Sequence, residues 1–185
     1  MHDVLTTTRR FTVDEYYKMA EAGILRENDR VELIDGEILE MSPIGIRHFW
    51  SLNLLIKTIG NLLPNNIIIS PQNPLRVDES NDLLPDIVLV PTDACGKHIL
   101  PKDVLLLIEV ADTSYEADRY IKLPLYAKAG VPEVWLVALQ ENAIDAFNNP
   151  KDGVYSETRR YTVGGTVQSR QLPIVVVEVA KVLGT

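Results

Sequence analysis

The chain has 185 residues, 46% hydrophobic and 24% charged, the balance of a folded protein with its own core rather than of a disordered chain. Eighteen Lys and Arg against 26 Asp and Glu give a formal net charge of −8, which excludes a uniformly electropositive DNA-coating surface but not a local basic cleft. Cys95 is the sole cysteine, so intrachain disulfides and cysteine zinc sites are excluded, and a reducing cytoplasm is the expected setting.

The first ten residues read as a flexible tail, and 11–185 as one domain. Thr12 and Glu15 have capping-box spacing, Phe11 and Tyr16 can form the hydrophobic staple, and Gly23 supplies a stop. A helix over 13–22 follows. In RVELIDGEILEM (30–41) two apolar-rich strands flank Asp35-Gly36, a strong hairpin signal. IRHFWSLNLLIKTIGNLLP (46–64) reads as an amphipathic helix ended by Pro64. Strands are expected near 66–70, 75–78 and 86–90, then a nearly continuous apolar strand over 104–111. Helical spacing returns at 116–129, with Gly130 and Pro132 as stop signals. Strands follow at 133–139, 143–147 and 154–163, with a turn at Gly164-Gly165 and a mixed tail from Leu172. Apolar runs such as Val104–Ile108 and Ile174–Val177 are too short to cross a bilayer. No basic stretch followed by an apolar run suggests a secretory leader. Strands clustered between helices predict a mixed α/β (α+β) fold, one sheet flanked by helices.

Four residues stand out chemically. If 84–91 and 104–111 are consecutive antiparallel strands, placing Val90 opposite Val104 sets Asp86 opposite Ile108, with Glu109 one position away. Opposed Cβ atoms lie ~5 Å apart, so a slip of one or two residues brings both carboxylates onto one face. Two close carboxylates repel, and burying one in so apolar a strand is costly. Mg²⁺ would relieve both costs, because it prefers oxygen and is commonly held by one or two carboxylates plus water. The plainer alternative has Asp86 capping a turn after Pro85 and Glu109 paired with a lysine. Lys122 follows Asp118 by four residues, on one helix face, near Pro124. It could orient a water beside a scissile phosphate, or be half of a surface ion pair. Hairpin register places Glu32 on a face with Ile34, Leu39 and Met41, either as a paired core acid or as a site residue. His48, alone on its helix, reads as solvated or capping. No Gly-rich phosphate loop, Gly-x-Ser-x-Gly elbow or zinc-protease spacing occurs, and Cys95 lacks a nearby base.

VELIDGEILEMSP (31–43), LPDIVLV (84–90), LLIEVADTS (106–114) and DRYIKLPLYAKAGVPEVWLV (118–137) occur in that order. Together they resemble the Uma family of restriction-endonuclease-like proteins, a branch of the PD-(D/E)xK nuclease superfamily, over roughly residues 10–180. The resemblance implies a mixed central sheet flanked by helices. It implies Mg²⁺ (Mn²⁺ as substitute) on Asp86 and Glu109, with Glu32 completing the site. The superfamily lysine usually stands two residues after the Glu, where this chain has Ala111. In the Uma-like block the following helix supplies it, as Lys122. The implied activity is a Mg-dependent endodeoxyribonuclease acting on DNA, with a homodimer if both strands of a duplex are cut. The alternative is an inactive nuclease fold kept as a binding module for protein or nucleic acid, which the acidic charge and Ala111 favour. RNA as substrate is a third possibility.

Overall fold

The computed structural model describes residues 8–26 and 28–184. Most of the expected tail, residues 1–7, lies outside the described residues. Arg9 and Arg10 reach Glu15 and Glu37 through ion pairs of 2.7 and 3.2 Å.

Helix α1 (Val13–Glu21) begins with the expected capping box, Thr12 and Glu15 satisfying each other's backbone N–H groups. Strands β1 (Val31–Ile34) and β2 (Glu37–Glu40) form the expected hairpin, with Ile34 opposite Glu37 and Glu32 opposite Leu39. The turn needs two left-handed residues, and Asp35 and Gly36 supply them, with φ of 48° and 74°. Helix α2 (Ile46–Gly60) stops one turn earlier than expected. Gly60 and Asn61 are weak helix formers, and Pro64 disfavours the α conformation at Leu63, so the chain turns away before the proline.

A six-stranded mixed sheet is the centre of the molecule, in the order β10-β9-β8-β7-β6-β3. Its strands are β3 (Ile67–Pro71), β6 (Ile87–Pro91), β7 (Leu106–Ala111), β8 (Glu133–Ala138), β9 (Ala143–Lys151) and β10 (Val154–Thr162). Only β7 and β8 pair in parallel; the other neighbours are antiparallel. A parallel pair needs a crossover. Helix α3 (Tyr115–Ala117), a π-helical turn (Asp118–Lys122) and helix α4 (Leu123–Lys128) supply it. The expected single helix is interrupted because Pro124 cannot continue regular α hydrogen bonding and its ring crowds the preceding turn, which here widens.

A smaller sheet, β2-β1-β5-β4, adds two short strands, β4 (Leu75–Arg76) and β5 (Asp82–Leu83). β5 was not legible as a strand in the sequence. The mixed tail contains β12 (Val176–Glu178), paired with β11 (Thr166–Gln168) in a two-stranded ribbon beyond the Gly164-Gly165 turn.

The central sheet has a core on each face. Leu106, Ile108 and Val110 of β7 pack with Leu52, Leu55 and Ile59 of α2 and with the terminal ribbon. Leu107 and Ala111 turn the other way, toward Ile34, Leu123, Tyr126 and Ala127. Glu109 alternates with Val110 and therefore faces this second layer, beneath the crossover.

Candidate active site

Strands β6 and β7 are antiparallel, as expected, but their register differs by one residue. Ile87 faces Ile108 and Leu89 faces Leu106, so Asp86, one step earlier, comes opposite Glu109. The cause lies before β7. Pro101–Asp103 forms a short 3-10 turn, and Val104 caps it by donating to the Pro101 carbonyl, so the strand begins at Leu106. The shift brings the two carboxylates to the same face, and they lock the rim of the sheet together. The Asp86 N–H donates to Glu109 Oε2 at 3.2 Å, and the Val110 N–H donates to Asp86 Oδ2 at 2.8 Å.

Lys122 arrives from above. Its Nζ lies 2.9 Å from Glu32 Oε1, 3.5 Å from Asp118 Oδ1 and 3.7 Å from Glu109 Oε1. At 7% exposure it is no surface partner of Asp118, which is itself buried. Burial opposes its charge, but Glu109, Glu32 and Asp118 outweigh burial and hold the ammonium protonated above its ordinary range. Burial also drives the Glu109 carboxyl well above the usual carboxylate range; Lys122 opposes the shift, while Asp118, Asp86 and Glu32 reinforce it. Asp118 is raised for the same first cause, with Lys122 and the Ser114 hydroxyl pulling back.

Glu32 crosses from β1, where its Oε1 also accepts the Leu84 N–H at 2.7 Å. It thereby ties the small sheet to the segment that precedes Asp86. The structure brings together all four residues singled out in the sequence, Glu32, Asp86, Glu109 and Lys122.

Two partners were not expected there. His48, from the first turn of α2, places Nε2 3.0 Å from Asp86 Oδ2, while its buried Nδ1 has no partner. Tyr126 donates its hydroxyl to Glu109 Oε1 at 2.7 Å. Tyr126 stands four residues after Lys122, so the helical spacing carried a signal. His48 had none, because its role depends on where the helix end meets the sheet rim.

Glu32, His48, Asp86, Glu109, Asp118 and Lys122 line a cleft of about 410 Å³. Among the described residues no three His, Cys, Asp or Glu side chains converge as a ready metal cage. The donor set is nevertheless of the kind that suits a hard divalent cation. Asp86 and Glu109 offer oxygens at one opening, and a hard cation held by two carboxylates completes its shell with water and phosphate. The excess of buried carboxylates over the single ammonium of Lys122 favours such a cation.

No curated protein sequence matches the chain. Its fold is similar to the crystal structure of "a putative nuclease belonging to DUF820" from Anabaena variabilis ATCC 29413, with a TM-score of 0.68 and 14% identity over 94% of this chain and 97% of that one. At that identity the likeness concerns the fold. The model of the Uma2 family, described as "Putative restriction endonuclease", matches residues 13–180. The chain therefore belongs to the Uma2 family, as its four sequence blocks imply.

Proposed function

We propose that the cleft hydrolyses phosphodiester bonds of DNA with Mg²⁺ as cofactor, Mn²⁺ substituting. The observation that carries this reading is the convergence of Asp86, Glu109 and Lys122, from three separate elements, at one solvent-accessible cleft.

Asp86 and Glu109 would hold the cation, with Glu32 at the edge of the site. The bound ion would acidify a water and offset negative charge as it develops at phosphorus. The rest of the work falls to the chain. The Val110 N–H and His48 fix the Asp86 carboxylate. The Tyr126 hydroxyl and the Asp86 N–H fix Glu109. Lys122, kept cationic by three carboxylates, orients the attacking water and offsets charge on the phosphate. Water oxygen bonds to phosphorus as the water gives up a proton to solvent, the bond to the leaving oxygen breaks, and that oxygen takes up a proton from solvent.

The position two residues after Glu109 needs no lysine in this geometry. Ala111 is buried against the crossover, which itself delivers Lys122. Cleavage of both strands of a duplex would call for a homodimer.

Plasmid nicking in Mg²⁺, wild type against Glu109→Ala, tests the reading. Equal nicking by both proteins refutes the site. Calorimetric titration is a second test: no binding of Mg²⁺ or Mn²⁺ at millimolar concentration would favour a binding module over an enzyme.

A further inference from the structure

The small sheet holds a buried acid that the cleft does not use. Asp82 of β5 is 4% exposed. Its Oδ2 accepts the Tyr17 hydroxyl at 3.0 Å, while its buried Oδ1 has no partner among the described residues. Arg76, directly across on β4, turns its guanidinium to Asp14 instead, at 2.9 Å. Burial raises the Asp82 carboxyl above its ordinary range; Tyr17, His98 and Arg76 oppose the shift, and Glu32 adds to it. A buried carboxylate oxygen without a donor is costly, and native structures seldom carry one unless something else supplies the donor.

Asp82 lines a pocket of about 140 Å³ formed from α1 and the small sheet. Tyr16 and Tyr17 line it from the helix, with their rings 5.8 Å apart at 55°. Leu25, Val31, Pro74 and Leu84 add apolar wall. The other charged residues of the lining, Arg26 and Asp29, are exposed. They close a turn on each other: the Arg26 N–H donates to Asp29 Oδ2 at 2.8 Å, and the Asp29 N–H to the Arg26 carbonyl at 2.9 Å. Asp82 is thus the buried charge that the pocket presents.

The occupant's chemistry follows from these groups. The pocket is several times the ~30 Å³ that one water takes in the liquid, so a single water does not fill it. A hard metal ion wants many oxygens, yet among the described residues no three His, Cys, Asp or Glu side chains converge here. The planar fork of a guanidinium pairs with both oxygens of a carboxylate, and Tyr17 already occupies one. An ammonium needs only one oxygen for one of its N–H groups. It is also attracted to aromatic rings, and its alkyl stem suits apolar walls.

We propose that this pocket binds a primary alkylammonium group, with Asp82 Oδ1 accepting an N–H and the stem lying along Tyr16, Tyr17 and the apolar wall. The site is separate from the acidic cleft and does not rest on the phosphodiesterase reading.

Titration of n-butylammonium chloride, followed by amide NMR shifts, tests it. Tyr17, Ala20 and Leu83 should shift and saturate with a Kd of about 1 mM. 1-Butanol, of equal length but uncharged, should bind at least about tenfold more weakly. Asp82→Asn and Ala20→Leu should each weaken butylammonium binding at least about tenfold. The first removes the charge and keeps the shape. The second narrows the pocket from an exposed helix position, so the urea midpoint should hardly move. Glu109→Gln, in the cleft, should leave the Tyr17, Ala20 and Leu83 shifts as they are. Nα-acetyl-lysine N-methylamide separates the sources: binding tighter than butylammonium assigns the pocket to a lysine side chain of a protein, and equal or weaker binding to a free amine.

Three results overturn the proposal. Equal binding of 1-butanol makes the pocket merely apolar. Absence of these shifts at tens of millimolar butylammonium means that water alone satisfies Asp82. Shifts abolished by Glu109→Gln but kept by Asp82→Asn and Ala20→Leu place the amine in the acidic cleft.

Discussion

Lys122→Met keeps much of the apolar stem and removes the ammonium. Three carboxylates lie within 3.7 Å of that ammonium, on Glu32, Asp118 and Glu109. At an effective dielectric near 20, each such contact has a gross Coulomb energy of about 4 kcal/mol, and the sum greatly overstates the net effect. Lys122 is desolvated, and the carboxylates can respond to its loss by binding protons. Removing one partner of a buried ion pair typically costs about 3–5 kcal/mol. The response is already poised, since Glu109 and Asp118 are raised by burial even with Lys122 present. Each pH unit separating solvent from a carboxyl pKa costs about 1.4 kcal/mol to bridge. The variant should therefore lose about 3–5 kcal/mol near neutral pH, and only about 1–2 at about pH 5, where protonation replaces the missing cation. The melting temperature should fall by about 10 °C near neutral pH.

Urea unfolding of both proteins in EDTA, at the two pH values, measures this directly. Adding Mg²⁺ near neutral pH should restore more stability to the variant than to wild type, because its cleft carries one more uncompensated negative charge. Variant and wild type of equal stability at both pH values would refute the reasoning. The same loss at both would show that packing of the lysine stem, not its charge, is what matters.

Three further outcomes follow from the same geometry. Glu109→Gln should lower DNA cleavage at least about 100-fold while leaving the metal-free protein as stable as wild type or more so, since it removes a buried like charge; activity assay and urea midpoint together check it. Wild type in EDTA should become more stable on acidification from about pH 7.5 toward about pH 5.5: raised carboxyls at Glu109 and Asp118 make the native state the better proton acceptor, a gain completed only below their ordinary values of 4.5 and 3.8, while the raised Lys122 contribution is lost only as pH climbs above 10.5. A steady loss of stability over that acid range would contradict it. Glu133→Ala should cost about 3–5 kcal/mol, read from the urea midpoint, because the buried carboxylate accepts from Trp135 Nε1, the Ser169 hydroxyl and the Arg170 and Gln171 N–H groups, at 2.8 to 3.1 Å.

The hairpin illustrates what a sequence discloses well. Asp35-Gly36 demands a two-residue turn, and the turn fixes the register that carries Glu32 to its face. The Asp86–Glu109 relation was legible only to within a residue, because the start of β7 depends on a 3-10 turn with weak sequence signals. His48 was misjudged for another reason. Helical periodicity tells which face of α2 is buried, but not that its end overhangs the rim where Asp86 lies. Glu133 likewise looks like an ordinary strand residue until the terminal segment folds over it.

The crossover also accounts for Ala111. A lysine two residues after Glu109 would leave β7 on the face where Leu123, Tyr126 and Ala127 pack, so its stem would displace the helix that covers the sheet. Delivering the ammonium from that helix avoids the conflict, provided the helix points Lys122 and Tyr126 at the same carboxylate. Both do so, at 3.7 and 2.7 Å from Glu109 Oε1. A regular α-helix cannot run through Pro124 without losing a hydrogen bond and crowding the turn before it. The wider turn over Asp118–Lys122 absorbs that conflict and keeps Asp118 within 3.5 Å of the lysine. The feature that spoils the helix as a helix is thus the one that lets it serve as the carrier of the cation, and a site assembled this way requires only a small residue at position 111.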